Sequence, residues 1–143
     1  MPSVDAHEGE AYRLTKVLIN RGSVTVAEAG LFIGWGQAVR GREAKGLQVF
    51  NEGVEFWTSQ QASGAVESFE VVILGPHGGD LAGFILVRGS NGQIAAVRAN
   101  PDFQRINARA TAIVDGLGII DATLGDGLGP AIATFQEVIA ELA

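Results

Sequence analysis

Cysteine is absent from the 143 residues. That excludes disulfides, thiolate catalysis and cysteine-ligated zinc or iron–sulfur centres. Basic residues are scarce, with ten Lys and Arg against sixteen Asp and Glu, for a net charge of −6. No Lys or Arg follows Arg109, whereas Asp115, Asp121, Asp126, Glu137 and Glu141 do. A phosphate backbone is repelled by that balance, so nucleic acid is not expected as a partner. No apolar run reaches the roughly 18 residues of a membrane span. The acidic start "MPSVDAHEGEAYR" lacks the apolar stretch of a signal peptide. A cytoplasmic protein that does not enter membranes is therefore expected.

Nucleotide and hydrolase signatures are missing as well. "GDGLG" (125–129) is not followed by Gly-Lys-Ser/Thr. "GLGIID" (116–121) falls within a strand pattern and does not open a helix, and there is no G-x-S-x-G elbow. Two histidines occur, and only His77 lies beyond the first thirty residues. His77 and Asp80 are close in sequence, but a metal site needs about three ligands. Neither a metal nor a cofactor is implied.

What is present is apolar and rich in glycine: 47% hydrophobic, 18% charged, with 20 glycines scattered rather than repeated. Such a chain is long enough to bury one core and is not disordered. Residues 1–30 read as an N-terminal extension, with a helix over about 9–20 carrying Ala11, Leu14, Val17 and Leu18, stopped at "NRG". The domain is expected over 31–143. "LFIGWG" (31–36) reads as a buried strand. A helix follows over 41–64, with Leu47, Phe50, Val54 and Trp57 on one face and Gly64 as its stop. Gly46 and Gly53 lie inside that helix at a cost of about 1 kcal/mol each against alanine, and close approach of a neighbouring backbone is one reason to keep them.

"AVESFEVVILG" (65–75) and "DLAGFILVRG" (80–89) read as a hairpin turning at "PHGG". Ser90 suits the cap of a short helix through Ile94 and Val97. Asn100 and Pro101 suit the start of another carrying Phe103, Ile106, Ala110 and Ile113. A strand within 114–125 and a helix over 130–143 complete the chain. The order β-α-β-β-α-β-α makes an α+β fold, the ferredoxin-like split βαββαβ. Its antiparallel four-stranded sheet has the order 4-1-3-2 and is joined by a C-terminal helix. Two helices cover one face of such a sheet, yet its strands are apolar on both. The C-terminal helix is expected over part of the second face. A second copy, packed sheet to sheet as a homodimer, is expected over the rest.

On this element order, and on "GWGQAVRGREAKGLQVFNE" and "LGPHGGDLAGFILVRG", the chain resembles the dimeric α+β barrel superfamily. The likeness is to uncharacterised bacterial members related to the antibiotic-biosynthesis monooxygenase-like, YCII-like and NIPSNAP-like proteins. It implies a small-molecule pocket between sheet and helices. Some members are oxygenases without a cofactor, some are isomerases, and many have no assigned activity.

His77 is the candidate acid/base, with Asp80 orienting it. Against this stands its place in a loop beside glycines, where an imidazole serves the turn. Trp35, between Gly34 and Gly36, is a candidate pocket wall, or a core tryptophan. Arg40, Arg42 and Glu43 open the first helix. The arginines could clamp a carboxylate and Glu43 suits the helix N-terminus, although a solvated helix start is the plainer reading. The residues leave open whether the protein is an enzyme. The leading expectation is a homodimer that binds a small apolar or anionic metabolite, hydrophobic or aromatic, for cofactor-independent oxidation or isomerisation. The rival is a non-enzymatic binding or assembly module of the same fold.

Overall fold

The computed structural model describes residues 27–143; the helix expected over 9–20 lies outside them. Strand β1 (Ala29–Trp35) leads to helix α1 (Glu43–Ser63), then strands β2 (Ser68–Ile73) and β3 (Gly83–Gly89). Helices α2 (Asn91–Arg98) and α3 (Pro101–Thr111), strand β4 (Gly118–Thr123) and helix α4 (Leu128–Leu142) complete it. The sheet runs β2-β3-β1-β4, and every pairing is antiparallel. This is the expected ferredoxin-like order, with the two most apolar strands central and the edges carrying Glu70 and Asp121. β1 starts at Ala29, two residues before the expected boundary.

Local chemistry sets the ends. Gly64 adopts a left-handed φ of 81° and closes α1 through bonds to the Gln60 and Gln61 carbonyls. Ser90 and Gln93 form a reciprocal capping box at α2. Asn100 caps α3, with Pro101 as its first residue. The β2–β3 connection is longer than "PHGG", because residues 74–82 all lie outside the two strands. Pro76 has no N–H for a ladder. Before it, the Leu74 N–H still donates to the Ala82 carbonyl (2.9 Å), and the Ala82 N–H donates to the Trp35 carbonyl of β1 (2.7 Å).

Alternation along β3 sorts the two faces. Ile85 and Val87 point to the helices and are buried, while Phe84, Leu86 and Arg88 point away and are half-buried. Leu31, Ile33, Ile85 and Val87 meet Trp57, Ile94, Val97 and Phe103 in one core on the helix side. On the other face Phe32 and Phe84 stack with ring centroids 4.8 Å apart, and Ile120 is 55% exposed. A Cβ at Gly30 would strike Leu124, and one at Gly34 would strike Leu81. Those two leucines therefore lie flat over the central strand.

Helix α4 does not cover this face, contrary to expectation. None of its residues is buried, and Ile132, Phe135, Ile139 and Leu142 are each more than half exposed. The reason lies at its root. The short turn Gly125–Gly127 is fixed against the start of β1, with the Leu124 N–H donating to the Glu28 carbonyl (3.0 Å). The helix leaves from there without settling on the sheet. No helix among the described residues is long and apolar enough to cross a membrane.

Candidate functional site

Between the sheet and helices α1 and α3 lies a cavity of about 400 Å³, within the range of small-molecule sites. Five aromatic rings surround it: Trp35, Phe50, Phe56, Trp57 and Phe103. They brace one another edge to face. Trp35 meets Phe50 at 5.9 Å, and Trp57 meets Phe56 at 4.9 Å and Phe103 at 5.6 Å. Such pairs favour offset and T-shaped contacts, so the walls are set by packing. Leu47 and Ile73 also line the cavity and are more than 60% exposed, which places the mouth between the first turns of α1 and the end of β2. Polar groups are few. Gln37 and Glu43 stand in exposed positions and Asn107 is half-buried. An ion pair from Arg109 to Glu52 (3.1 Å) links the two roofing helices.

The inward face of α1 is only partly the expected one: Leu47, Phe50 and Trp57 line the cavity, but Val54 does not. Val49, Gly53 and Trp57 are its buried residues, at i, i+4 and i+8, whereas Leu47 is 62% exposed at the mouth. A stripe drawn through large apolar residues misses a face whose middle position is glycine. Close backbone approach does not explain the glycines either. A Cβ at Gly53 would meet nothing within 4 Å, and one at Gly46 would meet only Ile113 and Ala38 side chains, at 3.6 and 3.8 Å. Both line the cavity. Each costs the helix about 1 kcal/mol relative to alanine, and what each leaves in return is open volume.

The candidate residues are spread apart. Trp35 and Glu43 line the cavity; Arg40, Arg42, His77 and Asp80 do not. Arg42 precedes α1 without a side-chain cap, and its guanidinium approaches the Ala112 carbonyl at 3.5 Å. Arg40 is exposed. His77 is held by its own loop. Its Nδ1 accepts from the Gly79 N–H (3.2 Å), so Nε2 carries the proton and donates to the Leu81 carbonyl (2.6 Å). Asp80 is not among its partners and lines a second pocket, with Gly79 and Asp115, that adjoins the first at Trp35, Gly36 and Gln37. Sequence reasoning missed Phe50, Phe56, Asn107 and the two helix glycines as site residues. The available signal was Gly46 and Gly53, seven residues apart in an otherwise apolar helix face.

One titratable group away from the cavity is perturbed. Burial, with the nearby Glu28 carboxylate, pushes the Glu67 carboxyl above its ordinary value. Its Oε2 is buried without a hydrogen-bond partner. The folded state thus holds this proton more tightly than the unfolded state, and stability falls as pH rises from the ordinary carboxylate value through the raised one. Glu67→Gln should match the parent near pH 4 and become the more stable protein as pH rises toward neutral. Denaturant titrations of both proteins across that range check this. A stability difference independent of pH would assign the effect to packing instead.

No family model matches the chain, and no curated protein matches it. Among solved structures it is similar to one described as a dimeric protein of unknown function and ferredoxin-like fold from Bacteroides fragilis NCTC 9343. The TM-score is 0.51 at 12% identity, over 67% of this chain and 96% of that one. That likeness is one of fold, and with the strand order it makes this chain an α+β protein of ferredoxin-like architecture.

Proposed function

We propose that this protein is a cytoplasmic homodimer of the dimeric α+β barrel type that binds a small hydrophobic or aromatic metabolite in the cavity between sheet and helices. The observation that carries this is the cavity itself: about 400 Å³, walled by five aromatic rings, with its few polar groups at the mouth and on α3. A void of that size lined by apolar groups forfeits packing energy unless something fills it. Binding is favoured over catalysis by the same lining. Glu43, Gln37 and Asn107 are its polar side chains, and the imidazole proposed as acid/base is engaged by its own loop. The arginines of the α1 start lie outside the lining, which favours a neutral ligand over an anionic one.

Dimerisation is supported by two apolar surfaces left uncovered among the described residues, the sheet face with Phe32, Phe84 and Ile120 and the exposed helix α4. It is supported too by the dimeric state described for the Bacteroides protein. Both tryptophans of the chain line the cavity, so their emission reports directly on its occupancy. Neutral one- and two-ring compounds should shift that emission and raise Tm by mass action, at about 2.7 kcal/mol for a ligand at 100 times its Kd. His77→Ala should leave both responses unchanged. No response to any neutral ring compound at millimolar concentration would overturn the binding reading, and loss of response in His77→Ala would restore the imidazole to the site.

A further inference from the structure

We infer that Gly46 and Gly53 are the specificity-determining residues of the cavity, and that its ligand is a neutral, elongated ring system laid along helix α1 where two side chains are missing. The inference rests on the binding reading above and adds the length and orientation of the ligand. The two glycines are seven residues apart, so they share one face of α1 and lie about 10 Å apart along its axis. Both face the cavity, and neither is needed for backbone reasons. They sit in a regular helix, outside the positive-φ glycines of the chain. A Cβ at either position would meet no atom closer than 3.6 Å. Alanine would fit both places and favour the helix. The sequence therefore keeps an open strip where filling it would stabilise the fold.

The strip has aromatic borders. Phe50 lies between the two glycines in sequence and Trp57 one turn beyond Gly53, while Trp35 closes the side toward β1. A ligand on the strip touches helix backbone on one side and rings on the others, which suits a rigid flat body. Its length is bounded by the spacing of the glycines. A cavity of about 150 Å³ admits a single benzene ring, so about 400 Å³ admits two rings in line. Glu43 and Gln37, at the mouth end of the strip, then receive one hydrogen-bond donor such as a hydroxyl.

Phenol and 4-phenylphenol test this by isothermal titration, since they carry the same donor and differ by one in-line ring. The wild-type protein should prefer 4-phenylphenol by at least tenfold. Gly53→Leu should erase that preference while leaving phenol affinity within about twofold. Gly53→Ala should reduce it by three- to tenfold. Both variants should melt at least as high as the wild type without ligand, the alanine variant about 3–5 °C higher by its helix propensity. If 4-phenylphenol keeps its advantage in Gly53→Ala and Gly53→Leu, the glycines do not set specificity, and the binding reading stands without them. If the wild type binds neither compound at millimolar concentration, the binding reading itself fails.

Discussion

Phe84→Asp should convert the proposed homodimer to a folded monomer. Phe84 is paired with Gly34 on one side and Val72 on the other, in the middle of the sheet face that none of the described helices covers. Its ring stacks on Phe32, and Leu81 and Leu124, lying over Gly34 and Gly30 of β1, extend the apolar patch. In a two-fold arrangement this patch meets its own copy, so each substitution acts twice. A central aromatic anchor contributes 2 kcal/mol or more at such an interface. Two of them, replaced by carboxylates that must be desolvated, raise the dimer dissociation constant by about three powers of ten. In the isolated chain Phe84 is half-buried, so the monomer loses the Phe32 contact, about 0.5–1.5 kcal/mol, and part of the ring's burial, about 1 kcal/mol more. Light scattering after size exclusion should give twice the chain mass for the parent and the chain mass for the variant. Circular dichroism should be unchanged. The parent Tm should rise with protein concentration and the variant Tm should not. A parent that is monomeric at micromolar concentration sinks the proposed interface.

The features that make this surface visible are also those that were legible in the sequence. The β-α-β-β-α-β order carries the sheet order, and the apolar runs in β1 and β3, with acidic residues confined to the edge strands, agree with it. The Ser90 and Asn100 caps and the Gly64 stop were readable because each is a local device, complete within four or five residues. Relations between distant segments were not. Helix α4 has an apolar stripe like any core helix, but whether it folds back depends on the geometry of the turn at Glu28 and Leu124. Its stripe signals a need for cover and does not say from which copy. A pocket between sheet and helices was implied by the resemblance, but its course along α1 was not legible, for a related reason. Hydrophobic periodicity counts side chains, and the strip along α1 is defined by two that are missing. His77 drew attention by rarity, yet its hydrogen bonds serve the nine residues between β2 and β3.

The residue on which stability and the proposed binding converge is Trp57. It is 3% exposed, belongs to the core cluster and lines the cavity. Its indole holds Phe56 and Phe103 in edge-to-face contact and so ties α1 to α3. Trp57→Ala removes those contacts and merges the indole's volume with an existing void, so the surroundings have little to collapse onto. The cost should therefore lie at the upper part of the usual range for such truncations, about 4–5 kcal/mol, a large part of the 5–15 kcal/mol that domains of this kind possess. Tm should fall by roughly 10–20 °C. Ligand affinity should fall with it, because Phe56 and Phe103 lose the ring that positions them. Trp57→Phe separates the two effects. It keeps an aromatic wall and much of the packing, so it should retain binding within a few fold while still losing stability. The opposite pattern, binding lost in Trp57→Phe at nearly parental Tm, would mean that the indole contacts the ligand directly. If Trp57→Ala costs under 1 kcal/mol, Trp57 is not a keystone of this core.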